Sequence, residues 1–145
     1  MIDLDNQTTL TVHLESLEKI ATHLSTKEVE LLIVDEKTMQ ELNHTHRGKD
    51  KSTDVLSFPL ETPFTQESIF GIPLGTIVIC DFFVQKEAQH FSHTIQDELS
   101  LLFIHGMLHL LGFDHEEDNG EMRQREQALI EMFNLPKSLI IRTQE

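Results

Sequence analysis

Between Leu99 and Phe113 the chain carries no Asp, Glu, Lys or Arg, yet two histidines, His105 and His109, lie inside that apolar run. A helix that is apolar on nearly every side is stable only in an interior. The run is shorter than the ~18 residues a helix needs to cross a bilayer. It therefore predicts the central, buried helix of a domain. Thr94 and Asp97, three positions apart, form a capping box that starts this helix at Ile95, and Gly112 is placed to stop it. A chain of 145 residues, 39% of them hydrophobic, can bury such a helix in one domain with a core of its own.

The flanking pattern supplies what the helix packs on. Val29 to Val34 is short, β-branched and bounded by polar residues, and predicts a strand. Thr53 to Phe58, closed by Pro59, and Thr76 to Cys80 predict two more, with a fourth near Ile2 to Leu4. Leu10, Leu14, Leu17, Ala21 and Leu24 recur at helical steps behind Thr8 and Thr9, which supply an N-cap. Asp35 caps a helix bearing Met39, Leu42 and His46 that Gly48 ends, and Asp81 caps one bearing Val84, Ala88 and Phe91. Glu61 to Leu74, with Pro63, Gly71 and Pro73, reads as a loop. A last helix, from about Asn119 to Phe133, turns Met122, Leu129, Met132 and Phe133 inward and Glu121, Arg123, Glu126 and Glu131 to solvent. The expectation is a single α+β domain (α/β layers) over residues 1–145: a mixed sheet of about four strands packed with about five helices.

Eleven Lys and Arg against 25 Asp and Glu give a net charge of −14, which argues against a broad surface that coats nucleic acid. The first ten residues lack the basic and apolar regions of a signal peptide, and a single cysteine, Cys80, excludes an internal disulfide. A reduced, cytoplasmic setting is expected.

Of nine histidines, His13, His23, His44, His46, His90 and His93 lie among polar neighbours and read as surface or capping residues. The other three spell His105-x3-His109-x2-Gly112-x2-His115. Histidines four apart share a helix face, and a glycine in a left-handed conformation lets the chain double back to bring His115 to the same point. Three imidazoles would then converge and leave a fourth position open, the pattern of a catalytic zinc. The spacing matches the metzincin zinc signature, making this a metzincin-like metal-binding helix. In those metalloproteases a Glu follows the first histidine and acts as general base. Here that position is Gly106. Losing a general base typically costs about 10²–10⁴ in rate, so a metallopeptidase is a weak reading.

Arg47, Lys49 and Lys51 gather three of eleven basic side chains where a helix gives way to a strand. Such a cluster is either a phosphate clamp, with Arg47 as a bidentate fork and the lysines as further substrate contacts, or an ordinary solvated turn.

Three blocks, Leu42 to Pro59 (LNHTHRGKDKSTDVLSFP), Leu74 to Gln89 (LGTIVICDFFVQKEAQ) and His105 to His115 (HGMLHLLGFDH), resemble the YbeY family of bacterial metal-dependent endoribonucleases. The resemblance implies a zinc-like ion, one per chain, on His105, His109 and His115, and a functionally important arginine at Arg47. It also implies action on ribosomal RNA in maturation and ribosome quality control, and contacts with a small-subunit ribosomal protein and an Era-type GTPase. The family often has Asp after the glycine of the second block; this chain has Thr76, to which no role is assigned. The expected activity is zinc-dependent, single-strand-preferring endoribonuclease cleavage. The metal would polarise a phosphoryl oxygen and Arg47 would offset the growing charge. Asp114 is a candidate base or a partner orienting an imidazole. The alternative is a non-catalytic ribosome-assembly factor whose metal stabilises its fold.

Overall fold

A computed structural model of the chain describes residues 1–60 and 73–143. In chain order the elements are β1 (Ile2–Asn6), α1 (Leu14–Leu24), β2 (Val29–Val34), α2 (Glu36–Arg47), β3 (Val55–Pro59), β4 (Gly75–Cys80), α3 (Asp81–His90), α4 (Ile95–Leu110), α5 (Glu121–Met132) and α6 (Ser138–Thr143). The strands form one mixed sheet in the order β1-β2-β4-β3. β1, β2 and β4 run parallel, and β3 lies antiparallel to β4 on the edge, with Val55 opposite Ile79 and Pro59 opposite Gly75. Pro59 is tolerated there because an edge strand leaves one side of its backbone unpaired.

Side chains of a strand alternate between faces, and the two faces bury different clusters. Val29, Leu31, Ile33, Ile77 and Ile79 join Leu17 and Ile20 of α1 and Leu99, Phe103, Ile104 and Met107 of α4 in the main core. Val34, Leu56, Val78 and Cys80 point the other way, against Met39 of α2. α4 is enclosed on a further side, where its Leu101 packs with Ile130 of α5 and Leu139 of α6. This is the interior helix that its uncharged run predicts. Its capping box is formed: the Asp97 N–H donates to Thr94 Oγ1 at 3.0 Å and the Thr94 N–H to Asp97 Oδ2 at 3.2 Å.

Several expectations need correction. α1 starts at Leu14, with His13 at its N-cap and not Thr8 or Thr9. Thr8 donates from its N–H and hydroxyl to Asn6 Oδ1, and the Leu10 N–H donates to Thr8 Oγ1. These short polar side chains thus satisfy the backbone in a turn after β1, in competition with helix. Leu10 is buried, but from that connection. Asp81 is the first residue of α3 and Cys80 its N-cap. β3 begins two residues later than expected. Met132 is half exposed, at 50%, and α6 adds a sixth helix among the described residues. The loop expected from Glu61 to Leu74 lies, for 61–72, outside the described residues.

Other elements follow their local rules. Asp35 Oδ1 accepts the Thr38 N–H at 2.8 Å, and hydrogen bonds from Thr38 hold its carboxyl below the usual carboxylate range. Gly48 closes α2 at φ 70°, the left-handed conformation that a helix C-terminus favours.

Candidate metal centre

α4 sets His105 and His109 one turn apart on one face, with their Nε2 atoms 3.1 Å from each other. Beyond Leu110 the chain reverses at Gly112, φ 100°, where the Gly112 N–H donates to the His109 carbonyl and the Phe113 N–H to that of Leu108, each at 3.0 Å. The reversal carries His115 back over the helix end. The three rings stand 4.7, 5.4 and 5.6 Å apart, centroid to centroid, and one donor atom from each lies within 4.8 Å of the others. A tetrahedral ion with nitrogens at about 2.0–2.1 Å holds them about 3.4 Å from one another, so small rotations of the rings suffice. The donor set suits a metal: three imidazoles, no thiolate, and one side left open to a cleft. Burial, then repulsion from His105 and His115, lowers the pKa of His109 and favours the neutral ring that a metal requires.

Two features hold this arrangement. Asp118 accepts the backbone N–H groups of Gly120 at 2.8 Å and Met122 at 2.9 Å, which hold its carboxyl below the usual range and fix the turn that follows His115. Glu126, expected to face solvent, is instead buried, its Oε1 2.6 Å from His105 Nδ1. The signal for it was present: Glu126 follows Met122 by four positions and precedes Leu129 by three, on the same inward stripe of α5. His93 is a further correction. Its side chain is 1% exposed, with Nε2 2.8 Å from the buried carboxylate of Glu98 and Nδ1 3.2 Å from Ser138 Oγ. It ties the start of α4 to α6, away from the candidate centre.

The three histidines line one cleft of about 650 Å³ together with Arg47, Asp54, Ser57, Phe113, Asp114 and Glu116. Arg47 is the last residue of α2, and its neighbouring loop is pinned by the buried Asn43, whose Nδ2 donates to the Lys51 carbonyl at 2.8 Å. Lys49 and Lys51 are exposed and are not among the residues lining the cleft. Asp114 Oδ1 accepts the Glu116 N–H at 3.0 Å, so this carboxylate shapes its own turn. Asp54 and Ser57, which the sequence reading did not single out, enter from β3 and its approach; Ser57 Oγ donates to the Gly106 carbonyl at 3.3 Å. Thr76 donates to Glu30 and does not line the cleft.

Gly106 has no room for a side chain. A Cβ there would lie 2.8 Å from Ile77 Cγ2, because α4 presses directly on β4 at this point.

The family model described as Endoribonuclease YbeY matches residues 2–134. Curated relatives carrying that name include one from a Sulfurovum species, 63% identical over 98% of this chain and 97% of its own length. Another, from Sulfurimonas denitrificans, is 52% identical over 99% of both chains. A Thermotoga maritima protein with a structure determined in solution is 30% identical, covering 92% of this chain and 89% of its own, with a TM-score of 0.59.

Proposed function

The chain belongs to the YbeY family of endoribonucleases, and from that membership we propose that it cuts RNA internally as a zinc-dependent, single-strand-preferring endoribonuclease. Its role is ribosomal RNA maturation and ribosome quality control in the cytoplasm, and residues 1–145 act as one metal-dependent hydrolase domain. The observation that carries this reading is that Arg47, from the end of α2, and the three histidines, from α4 and the turn beyond it, line the same cleft.

In this reading His105, His109 and His115 hold one zinc ion per chain. The bound ion supplies Lewis acidity toward a phosphoryl oxygen. Arg47 offers a planar, permanently charged fork to the phosphate and stabilises the charge that grows on its oxygens during cleavage. Lys49 and Lys51, exposed in the loop that follows Arg47, take neighbouring phosphates of the strand. Peptide hydrolysis finds no support, since the position of the protease general base is Gly106, where a side chain would strike Ile77. A small-subunit ribosomal protein and an Era-type GTPase are the proposed protein partners.

The test is elemental analysis of the purified protein beside His109→Ala, followed by a chelator-controlled assay on a structured ribosomal RNA fragment. We expect one zinc per chain, lost in His109→Ala, and a fall in cleavage of about 10²–10³ in Arg47→Ala with an unchanged melting temperature. If RNA is cut equally well by the parent and both variants, the cleft is not the catalytic site. A metal-loaded parent that leaves RNA intact would favour the non-catalytic assembly factor.

A further inference from the structure

Resting on the metal reading above, we infer that Glu126 is the positioning residue of the centre: its carboxylate takes the Nδ1–H of His105 and so fixes that ring with Nε2 presented to the ion.

The geometry allows little else. Glu126 Oε1 stands 2.6 Å from His105 Nδ1, and the carboxylate is 6% exposed, so water competes weakly for it. An ionised carboxylate only accepts hydrogen bonds; the ring nitrogen facing it must therefore carry the proton. In a neutral imidazole that leaves Nε2 with its lone pair free. That nitrogen lies 3.1 Å from His109 Nε2, on the side of the ring that faces the other histidine of α4.

Carboxylates behind metal-bound histidines orient the ring and raise its basicity, and their loss typically weakens metal binding by about 10–100-fold. Here the carboxylate comes from α5, an element that supplies none of the three histidines. Its place beside Met122 and Leu129 on the buried stripe of α5 makes the docking of that helix part of the centre. Replacing a carboxylate held only for stability would change the melting temperature and leave zinc affinity alone; replacing one held to orient His105 changes zinc affinity as well.

The experiment measures the zinc dissociation constant of the full chain by competition with a chromophoric chelator, for the parent, Glu126→Ala, Glu126→Gln and His109→Ala, beside thermal melts of each metal-free protein. Glu126→Ala is expected to bind zinc about 10–100-fold more weakly. Glu126→Gln keeps the shape and an acceptor oxygen but not the charge, and should fall about tenfold; it carries the test alone if the alanine variant does not fold. Nitrogen-15 spectra of the metal-free parent should show His105 protonated on Nδ1, and the glutamine variant a mixture of tautomers. Zinc affinity equal to the parent in the Glu126 variants, with only the melting temperature changed, would overturn the inference and leave the metal reading standing. A parent that binds zinc no better than His109→Ala would overturn both.

Discussion

At Cys80 the thiol closes β4 fully enclosed beside Val34, Met39, Leu56 and Val78, and burial raises its pKa. The thiolate is the reactive form, so native Cys80 should resist Ellman's reagent and react only on unfolding. As pH rises, the unfolded chain gives up this proton before the folded one, and ∂ΔG/∂pH is then negative. Stability should fall across the alkaline window between the ordinary thiol value and the raised one, and Cys80→Ala should lose that part of the slope in urea titrations at several pH values. Fast labelling of the folded protein would show the pocket around Cys80 to be open. His93, unlike Cys80, has a setting that its neighbours in sequence conceal: Ser92, His93 and Thr94 read as a polar turn, but Glu98, one turn into α4, draws the ring inward. A buried carboxylate needs such a partner.

α4 depends on a missing side chain as much as on those it has. Replacing a helical glycine by alanine normally favours the helix by up to about 1 kcal/mol. At Gly106 the added Cβ would meet three atoms of Ile77 at 2.8 to 3.0 Å, and relieving such overpacking costs about 1–3 kcal/mol. We expect Gly106→Ala to be net destabilising in denaturant melts and Ile77→Ala to rescue part of the loss in the double variant. A Gly106→Ala protein as stable as the parent would mean that α4 can lift from β4 without cost. The start of α4 was legible because a capping box is a rule over three residues, and Thr94 and Asp97 satisfy it. The start of α1 was not, because Asn6 and Thr8 close a local turn first and the hydrophobic spacing of Leu10 with Leu14 belongs to the core rather than to one helix.

For the whole molecule the governing quantity is a net charge of −14, which repels RNA at long range. Under the proposed function, attraction rests on the metal, Arg47, Lys49 and Lys51, a field confined to within about a Debye length of roughly 8–10 Å. Each phosphate neutralised on a single strand contributes a slope of about −0.7 in log affinity against log salt, so two to four contacts give roughly −1.4 to −2.8. We expect that shallow slope, and weak affinity for free RNA, when labelled single strands are titrated at several salt concentrations. A slope implying about eight contacts or more would reveal a basic surface elsewhere. Under the same proposal, weak intrinsic binding would give a ribosomal partner its physical reason: it would raise the effective concentration of the RNA at the cleft.

Periodicity, caps and glycines act over about one helical turn, and on that scale the chain specified its own parts: the buried α4, the pairing of His105 with His109, the reversal at Gly112 that returns His115, and the strands of the sheet. Tertiary structure alone decided that β4 lies between β2 and β3, that Arg47 at the end of α2 lines the same cleft as the histidines, and that Glu126 reaches His105 from 21 residues away. The physical reason is that a charged residue on an amphipathic stripe has two stable settings, water or a buried partner. Which one it takes depends on whether packing of distant elements supplies that partner, and α5 docked against α4 supplies it for Glu126.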